Sequence, residues 1–172
     1  MGVSLRLIER RDADAVRAIY NREVLDSTVT FDMVERSTEE QQAWIDQHRG
    51  AHAAIVAVDD RDGSVLGFAS LSPYRPRPAY STTVEDSVYV HRDHRGRGLG
   101  QLLLAELVAL GRDHGFHAIV ARIVGGHEAS IALHASCGFE PVGVEREVGR
   151  KFSHWLDVVV MQRMLSEVNH GS

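Results

Sequence analysis

Cysteine is almost absent from this chain of 172 residues, where Cys137 stands alone. A single cysteine excludes an intrachain disulfide and is typical of proteins from a reducing compartment. A lone thiol more often packs as a small apolar side chain than acts as a nucleophile, and we interpret Cys137 in that way.

Long apolar segments are also lacking. No run approaches the roughly 20 residues that span a bilayer. The N-terminal stretch MGVSLRLIERRD lacks the apolar core and the cleavage site of a signal peptide. We therefore expect no membrane partner and predict a cytoplasmic protein.

Basic residues are outnumbered, since 19 Lys and Arg face 24 Asp and Glu for a net charge of −5. This balance argues against wholesale attraction to nucleic acid or to acidic membranes. The hydrophobic share of 44% is typical of a globular protein. A chain of this length suits one domain, which we predict to span residues 1–172.

Hydropathy patterns predict an α/β protein with seven strands. In chain order the strands read VSLRLIE, HAAIVAVDD, SVLGFASLSPY, TTVEDSVYVH, HAIVARIV, EPVGVEREVG and WLDVVVMQRML. With the helices included, the predicted order is β-α-α-β-β-β-α-β-α-β-β. A strand–helix–strand crossover in the middle of this order favours an α/β sandwich.

Start and stop signals predict four helices. Asp12 is expected to cap the first helix, and STEEQ at residues 37–41 resembles a capping box at the start of the second. The third helix is predicted over Leu99–His114, ending at Gly115, and EASIALHASCG forms the fourth. Four leucines are expected on the apolar face of the third helix: Leu102, Leu103, Leu107 and Leu110.

A basic, glycine-rich run, HRDHRGRGLGQLL at residues 91–103, lies between a predicted strand and this third helix. Glycines let the backbone turn sharply, and the N–H groups of a first helical turn favour an anion. The run has neither the Gly-Lys-Ser/Thr of a P-loop nor the G-x-G-x-x-G of a dinucleotide site. No aromatic residue is interleaved with its arginines, which argues against nucleic acid. A phosphate cradle and an exposed turn with solubilising charges both fit these features.

Within this run, RGRGLG at residues 95–100 resembles the R-x-x-G-x-G pyrophosphate-binding motif of the GCN5-related N-acetyltransferase (GNAT) superfamily. Four further segments resemble its phosphinothricin and methionine sulfoximine N-acetyltransferase subfamily: YNREVLDSTVTF, TVEDSVYV, SIALHASCGF and VGRKFSHWLDVVVMQ. The resemblance implies a mixed, mostly antiparallel sheet of about seven strands flanked by helices. In that fold the fourth and fifth strands splay apart to form the cofactor cleft.

The resemblance also implies an activity. The cosubstrate would be acetyl-CoA, with no metal, and the acceptor would be the amino group of a small amino acid such as phosphinothricin or methionine sulfoximine. Both substrates would bind together, the enzyme would be a homodimer, and the activity would confer resistance to the herbicide phosphinothricin.

Two residues match catalytic positions of the subfamily. Glu85 matches the glutamate of its T-x-E pattern, which acts as general base directly or through water. From the residues alone, an outward-facing carboxylate in an ion pair was the other interpretation. His134 matches a histidine that stands where many GNAT proteins have a tyrosine that protonates the departing thiolate. An imidazole at this place could transfer a proton or orient the sulfur.

The implied cofactor-binding residues fall into three groups. Backbone N–H groups at Val88, Tyr89 and Val90 would face the thioester oxygen. Pyrophosphate would be held by the main chain of six consecutive residues, with the two arginine side chains as additional donors: Arg95, Gly96, Arg97, Gly98, Leu99 and Gly100. Ser130 would line the pantetheine side, and His127 stands where relatives usually have Asn, which puts a cofactor contact there in doubt.

The candidate acceptor-binding residues lie in three segments, and the resemblance implies all of them except Arg75, which is a suitable anion donor on the same Pro-rich loop as Arg77. Their members are Phe31, Arg75, Arg77, Tyr80, Lys151 and Trp155. The last two, with Asp157, match subfamily positions that could complete the site across a dimer. From composition alone, the arginines could equally belong to a solvated loop and Trp155 to the core.

Two alternatives stay open. The enzyme could acetylate a different acceptor, such as another amino acid, a polyamine or a protein N-terminus. The chain could instead be a non-catalytic acetyl-CoA sensor, although a pure binder needs neither Glu85 nor His134.

Overall fold

A computed structural model describes residues 2–165, within which seven strands form one sheet. The strands are β1 (Val3–Leu7), β2 (Ala54–Asp59), β3 (Val65–Pro73), β4 (Thr83–Val90), β5 (Ala118–Val124), β6 (Glu140–Lys151) and β7 (His154–Met164). The α-helices are α1 (Ala13–Asp26), α2 (Thr38–Gln47), α3 (Leu99–Asp113) and α4 (Glu128–Ser136). The predicted α/β class and element order are confirmed.

The strand order in the sheet is β1-β2-β3-β4-β5-β7-β6, and each neighbouring pair is antiparallel except β4 and β5. Those two parallel strands pair only over residues 83–85 and 118–120. Beyond this point β4 stays on β3 while β5 stays on β7. The expected splay is therefore confirmed, and it begins directly after Glu85 and Val120.

Helices cover both faces of the sheet. Successive β2 residues show this, because Ile55 packs in the core cluster beside α3 whereas Val56 packs in the cluster beside α1. Side chains of neighbouring strand residues point to opposite faces, so a strand between two helical layers is buried along its whole length. None of the helices within residues 2–165 has the length and apolarity needed to cross a membrane.

The capping predictions have mixed outcomes. Ser37 is the N-cap of α2: its hydroxyl accepts from the Glu40 N–H at 3.1 Å, and the Glu40 carboxylate accepts from the Ser37 N–H at 2.8 Å. Asp12 is the N-cap residue of α1, as predicted, but its side chain makes no capping bond to that helix. The Asp12 carboxylate instead accepts from both terminal nitrogens of Arg6 at 2.7 Å and from the Glu9 N–H at 2.8 Å.

The predicted apolar face of α3 is wrong at one position. Leu102 is 48% exposed, whereas Leu103 and Leu107 are fully buried. The buried stripe follows the i, i+4 spacing from Leu99, which turns Leu102 towards solvent. The interpretation of Cys137 as an apolar residue fits its burial in the core cluster beside α3.

These neighbouring leucines provide a stability test. We expect Leu103→Ala to lower the free energy of unfolding by about 2–5 kcal/mol, because it leaves a cavity in the core. Leu102→Ala on the same helix is the control, with an expected change within about 0.5 kcal/mol. Urea denaturation measures both, and equal losses in the two variants would contradict the assigned orientation of α3.

Candidate active site

A cleft of about 860 Å³ opens where β4 and β5 separate. Its walls come from the second half of β4, the glycine-rich turn, the start of α3, the second half of β5 and α4. The segment 29–31, between α1 and α2, closes one side. The candidate catalytic and cofactor-binding residues expected from the sequence, apart from Arg97, therefore line one cleft.

The hydrogen bonds of β4 determine which backbone groups face this cleft. The N–H of His91, directly after the strand, donates to the Leu66 carbonyl of β3 at 2.8 Å. Antiparallel strands alternate bonded and non-bonded pairs, so odd-numbered residues of β4 bond to β3 and even-numbered ones turn away from it. The N–H groups of Val88 and Val90 thus point into the cleft, whereas that of Tyr89 points to β3. The side chain of Tyr89 still lines the cleft.

The glycine-rich turn has the backbone shape that a phosphate cradle needs. Gly96 and Gly98 have φ values of +73° and +78°, in the left-handed region that favours glycine, and Gly98 is the N-cap of α3. The helix then starts with N–H groups that have no intrahelical partner. At Gly100 a Cβ atom would lie 3.1 Å from the side chain of Leu133 in α4, so glycine also permits the close approach of the two helices.

The arginine side chains of this turn are engaged elsewhere. The Arg95 guanidinium donates to the Glu23 carboxylate of α1 at 2.8 Å, and Arg92 donates to the same oxygen at 2.9 Å. Burial raises the pKa of Glu23, but these partners outweigh it and hold the pKa below its usual value. Arg97 lies 3.3 Å from the His94 ring. In this arrangement Arg95 offers the cleft its main chain, and its side chain joins the turn to α1.

Glu85 lies at the last paired position of β4, opposite Val120, and its half-buried side chain lines the cleft. Burial raises the pKa of Glu85 above its usual value, while the charges of Arg122 and Arg75 oppose the rise. A carboxylate with a raised pKa in a cleft is suited to accept a proton.

Arg122 was not anticipated from the sequence. It lies on β5 two residues beyond Val120 and forms a two-nitrogen ion pair with Glu145 of β6. A signal was available, because this is the only charged residue in the otherwise apolar strand segment HAIVARIV. Arg122 places a positive charge on the cleft wall next to Glu85.

His134 is buried at 4% exposure, and both of its ring nitrogens have partners. Nδ1 lies 2.7 Å from the Ser130 carbonyl, and Nε2 lies 2.8 Å from Oδ2 of Asp86 on β4. Burial lowers the pKa of His134, but the hydrogen bond and charge of Asp86, with the Ser130 carbonyl, raise it above the usual value. Asp86 is a second residue that the sequence prediction missed, although a carboxylate inside a predicted strand is a signal.

The residues predicted at the start of α4 also line the cleft. His127 is the N-cap residue, without a side-chain capping bond, and its Nε2 lies 2.9 Å from the Thr28 hydroxyl. Ser130 is in the first turn. His127, where relatives usually have Asn, therefore joins α4 to the segment after α1.

Of the predicted acceptor residues, Phe31 lines the cleft. Its ring lies so close to Gly149 of β6 that a Cβ atom there would come within 2.5 Å. Lys151 is buried, and its ammonium donates to the carbonyls of Thr30 and Asp32 at 3.0 and 2.9 Å. Lys151 thus holds the segment that carries Phe31.

The other predicted acceptor residues lie outside the cleft walls. Arg75, Arg77 and Tyr80 are exposed on the connection between β3 and β4. The charge of Arg75 reaches Glu85, as its effect on the pKa of Glu85 shows. Trp155 is 61% exposed on β7, beside Arg150.

Comparison with known proteins identifies the family. A model of the acetyltransferase (GNAT) domain matches residues 5–160. The chain belongs to the GNAT acetyltransferase family. Among residues 2–165, no cluster of three or more His, Cys, Asp or Glu side chains has the arrangement needed for a metal ion.

This GNAT chain is 40% identical to an L-methionine sulfoximine/L-methionine sulfone acetyltransferase of Pseudomonas aeruginosa over 94% of each chain. It is 37% identical to the L-amino acid N-acyltransferase MnaT of Escherichia coli, over 96% of this chain and 95% of that one. A crystal structure of a phosphinothricin acetyltransferase from Sinorhizobium meliloti in complex with acetyl-CoA is similar with a TM-score of 0.93. That structure is 37% identical, and the match covers 100% of this chain and 93% of its own.

The GNAT chain is thus an acetyltransferase that uses acetyl-CoA. Its cleft fits this cosubstrate, since the left-handed glycines and the N-terminus of α3 suit pyrophosphate. The N–H groups of Val88 and Val90, which have no strand partner beyond the splay, suit carbonyl oxygens.

The charge next to Glu85 provides a test by titration. Arg122→Met removes a cation, so we expect the pKa of Glu85 to rise further above its usual value. Glu145→Gln removes a like charge and releases Arg122, so we expect the pKa of Glu85 to fall. NMR titration of ¹³C-labelled Glu85 measures both shifts. Shifts of the same sign in the two variants would contradict this electrostatic arrangement.

Proposed function

We propose that this acetyltransferase moves the acetyl group of acetyl-CoA to the α-amino group of a small amino acid of the phosphinothricin or methionine sulfoximine kind. The observation that carries the proposal is the position of Glu85, which lines the same cleft as the glycine-rich turn at the point where β4 and β5 separate. Relatives named for methionine sulfoximine and phosphinothricin support the acceptor class.

Glu85 is the proposed general base. It accepts the proton that the acceptor amine must lose to become a nucleophile, and its raised pKa makes it a stronger base than an ordinary glutamate. Bound acetyl-CoA supplies the thioester carbonyl that the amine attacks and the thiolate that leaves. The N–H of Val88 or Val90 donates to the carbonyl oxygen as negative charge develops there. His134, a cation when protonated, stabilises the departing thiolate.

Charge near Glu85 bears on the choice of acceptor, since the Arg75 cation acts on Glu85. Arg75 and Arg77 on the connection before β4 are cations suited to a carboxylate or a phosphinate, and Tyr80 adds a hydroxyl. Phe31 forms an apolar wall. Cations at this place disfavour a polyamine. The alternative acceptor with the most support is an ordinary amino acid, since MnaT is named as an L-amino acid N-acyltransferase.

We also propose a homodimer. β6 is an edge strand, and its hairpin with β7 presents a row of exposed apolar side chains: Val142, Val144, Val148, Phe152 and Trp155. An edge strand with such a face is a ready interface for a second copy. In this assembly Trp155 acts from the dimer side of the acceptor site, whereas Lys151 stays buried and bonded within its own chain. A single domain over residues 1–172 and a cytoplasmic location stay predictions.

The activity is tested by release of free thiol from acetyl-CoA with a panel of acceptors. The panel contains methionine sulfoximine, phosphinothricin, ordinary amino acids and polyamines. We expect thiol release with the first two, and mass spectrometry to find the acetyl group on the amine. No acceptor-dependent thiol with any of them would overturn the proposal.

The base is tested separately. Glu85→Gln is expected to lower turnover by about 10²–10⁴-fold while calorimetry finds acetyl-CoA binding largely unchanged. Glu106→Gln, at an exposed position of α3, is the matched control and should turn over normally. Near-normal turnover of Glu85→Gln would remove Glu85 from this role.

The dimer is tested by light scattering after gel filtration. We expect the unmodified chain to have twice the 19.1 kDa mass of one chain. Val144→Glu places a charge in the proposed interface and should give a monomer. Leu25→Glu, at a 52% exposed position of α1, should leave the dimer intact. A monomeric unmodified chain would contradict the proposal.

A further inference from the structure

Two carboxylates follow one another on β4, and the proposed reaction uses only the first. Glu85 and Asp86 point to opposite faces of the sheet, as neighbouring strand residues must. Asp86 points to the face of Val84, which belongs to the core beside α3, and reaches His134 of α4. Its side chain is 1% exposed, yet the residue lines the cleft.

The bonds of the His134 ring determine where its protons are. A backbone carbonyl only accepts hydrogen bonds, so the contact with Ser130 at 2.7 Å requires a proton on Nδ1. The contact between Nε2 and the Asp86 carboxyl at 2.8 Å requires one further proton between the two atoms. Neither ring nitrogen is then left for a third partner.

The Asp86 carboxyl depends on His134 for its hydrogen bond. Within the described part of the chain, Oδ1 is buried and has no hydrogen-bond partner. Among those residues, Asp86 is also the charged group that acts on the His134 ring. The Phe139 ring packs edge-on against the same imidazole, with 5.0 Å between the ring centroids. The His134 ring is thus the hydrogen-bond partner that the described residues offer the Asp86 carboxyl, and a cationic ring is the partner that compensates a buried carboxylate.

We propose that Asp86 is a positioning residue that fixes the orientation of His134 and keeps its ring positively charged on the cleft wall. The proposal rests on the catalytic role of His134 proposed above. It also specifies that role, because a ring with both nitrogens engaged stabilises a departing thiolate through its charge and not by presenting a free N–H.

The first test needs no substrate. In ¹⁵N-histidine NMR spectra at pH 7.5, above the usual histidine pKa of about 6.5, we expect both ring nitrogens of His134 to be protonated. His134→Gln assigns the signal. In Asp86→Asn, Nε2 should lose its proton, whereas the exposed Asp113→Asn control should match the unmodified chain. A neutral His134 ring in the unmodified protein would overturn the proposal without any variant.

The second test measures whether Asp86 acts through His134. Asp86→Asn should lower kcat by about 10- to 100-fold, the worth of one charge-assisted hydrogen bond, with the KM for acetyl-CoA changed less than about twofold. In a His134→Gln background the same substitution should cause no further loss. Independent, multiplying losses in the double variant would overturn the proposal.

The proposed function and the role of Asp86 are tested by different measurements. If no acceptor supports thiol release, the proposed function fails. The NMR spectra of the unliganded protein still show whether Asp86 keeps the His134 ring positively charged. If turnover is normal in Asp86→Asn while the acceptor panel is active, the function stands and the role of Asp86 fails.

Discussion

The separation of β4 from β5 after three residue pairs is the constraint on which the site depends. Because the strands part there, the cleft opens inside the sheet, and N–H groups on the free side of β4 have no strand partner. Each strand then leads into a helix whose N-terminal end lines the cleft, α3 after β4 and α4 after β5. Continuous pairing of the two strands would close the cleft and use the free N–H groups of β4 in hydrogen bonds to β5.

Charged groups around the cleft also hold the fold together. Glu23 of α1 pairs with Arg92 and Arg95 of the glycine-rich turn. Glu145 of β6 pairs with Arg122 of β5, and Asp86 of β4 pairs with His134 of α4. Each pair joins two elements, so the charges that influence the site are set by tertiary contacts. A buried charge is stable only with such a partner, which couples the electrostatics of the site to the packing of the sheet and helices.

The sequence was sufficient to predict features that depend only on residues close together in the chain. The glycine-rich turn, the capping box at Ser37 and the alternating strands were all predictable, since backbone geometry and side-chain period act over a few residues. The side-chain capping bond expected from Asp12 is absent, because its carboxylate bonds to Arg6 of β1, an element that a local capping rule does not contain. The prediction also failed at Leu102, which faces solvent because the buried stripe of α3 follows the i, i+4 spacing from Leu99.

By itself, the sequence determined the order of the elements, the phosphate-suited turn and, through resemblance, the family and the candidate residues Glu85 and His134. Only the tertiary structure decided which groups act on these residues. His134 and Asp86 are 48 residues apart in the chain, and Arg95 and Glu23 are 72 apart. Hydrogen bonds and ion pairs require atoms within a few ångströms, and that proximity is produced by folding and not by sequence spacing.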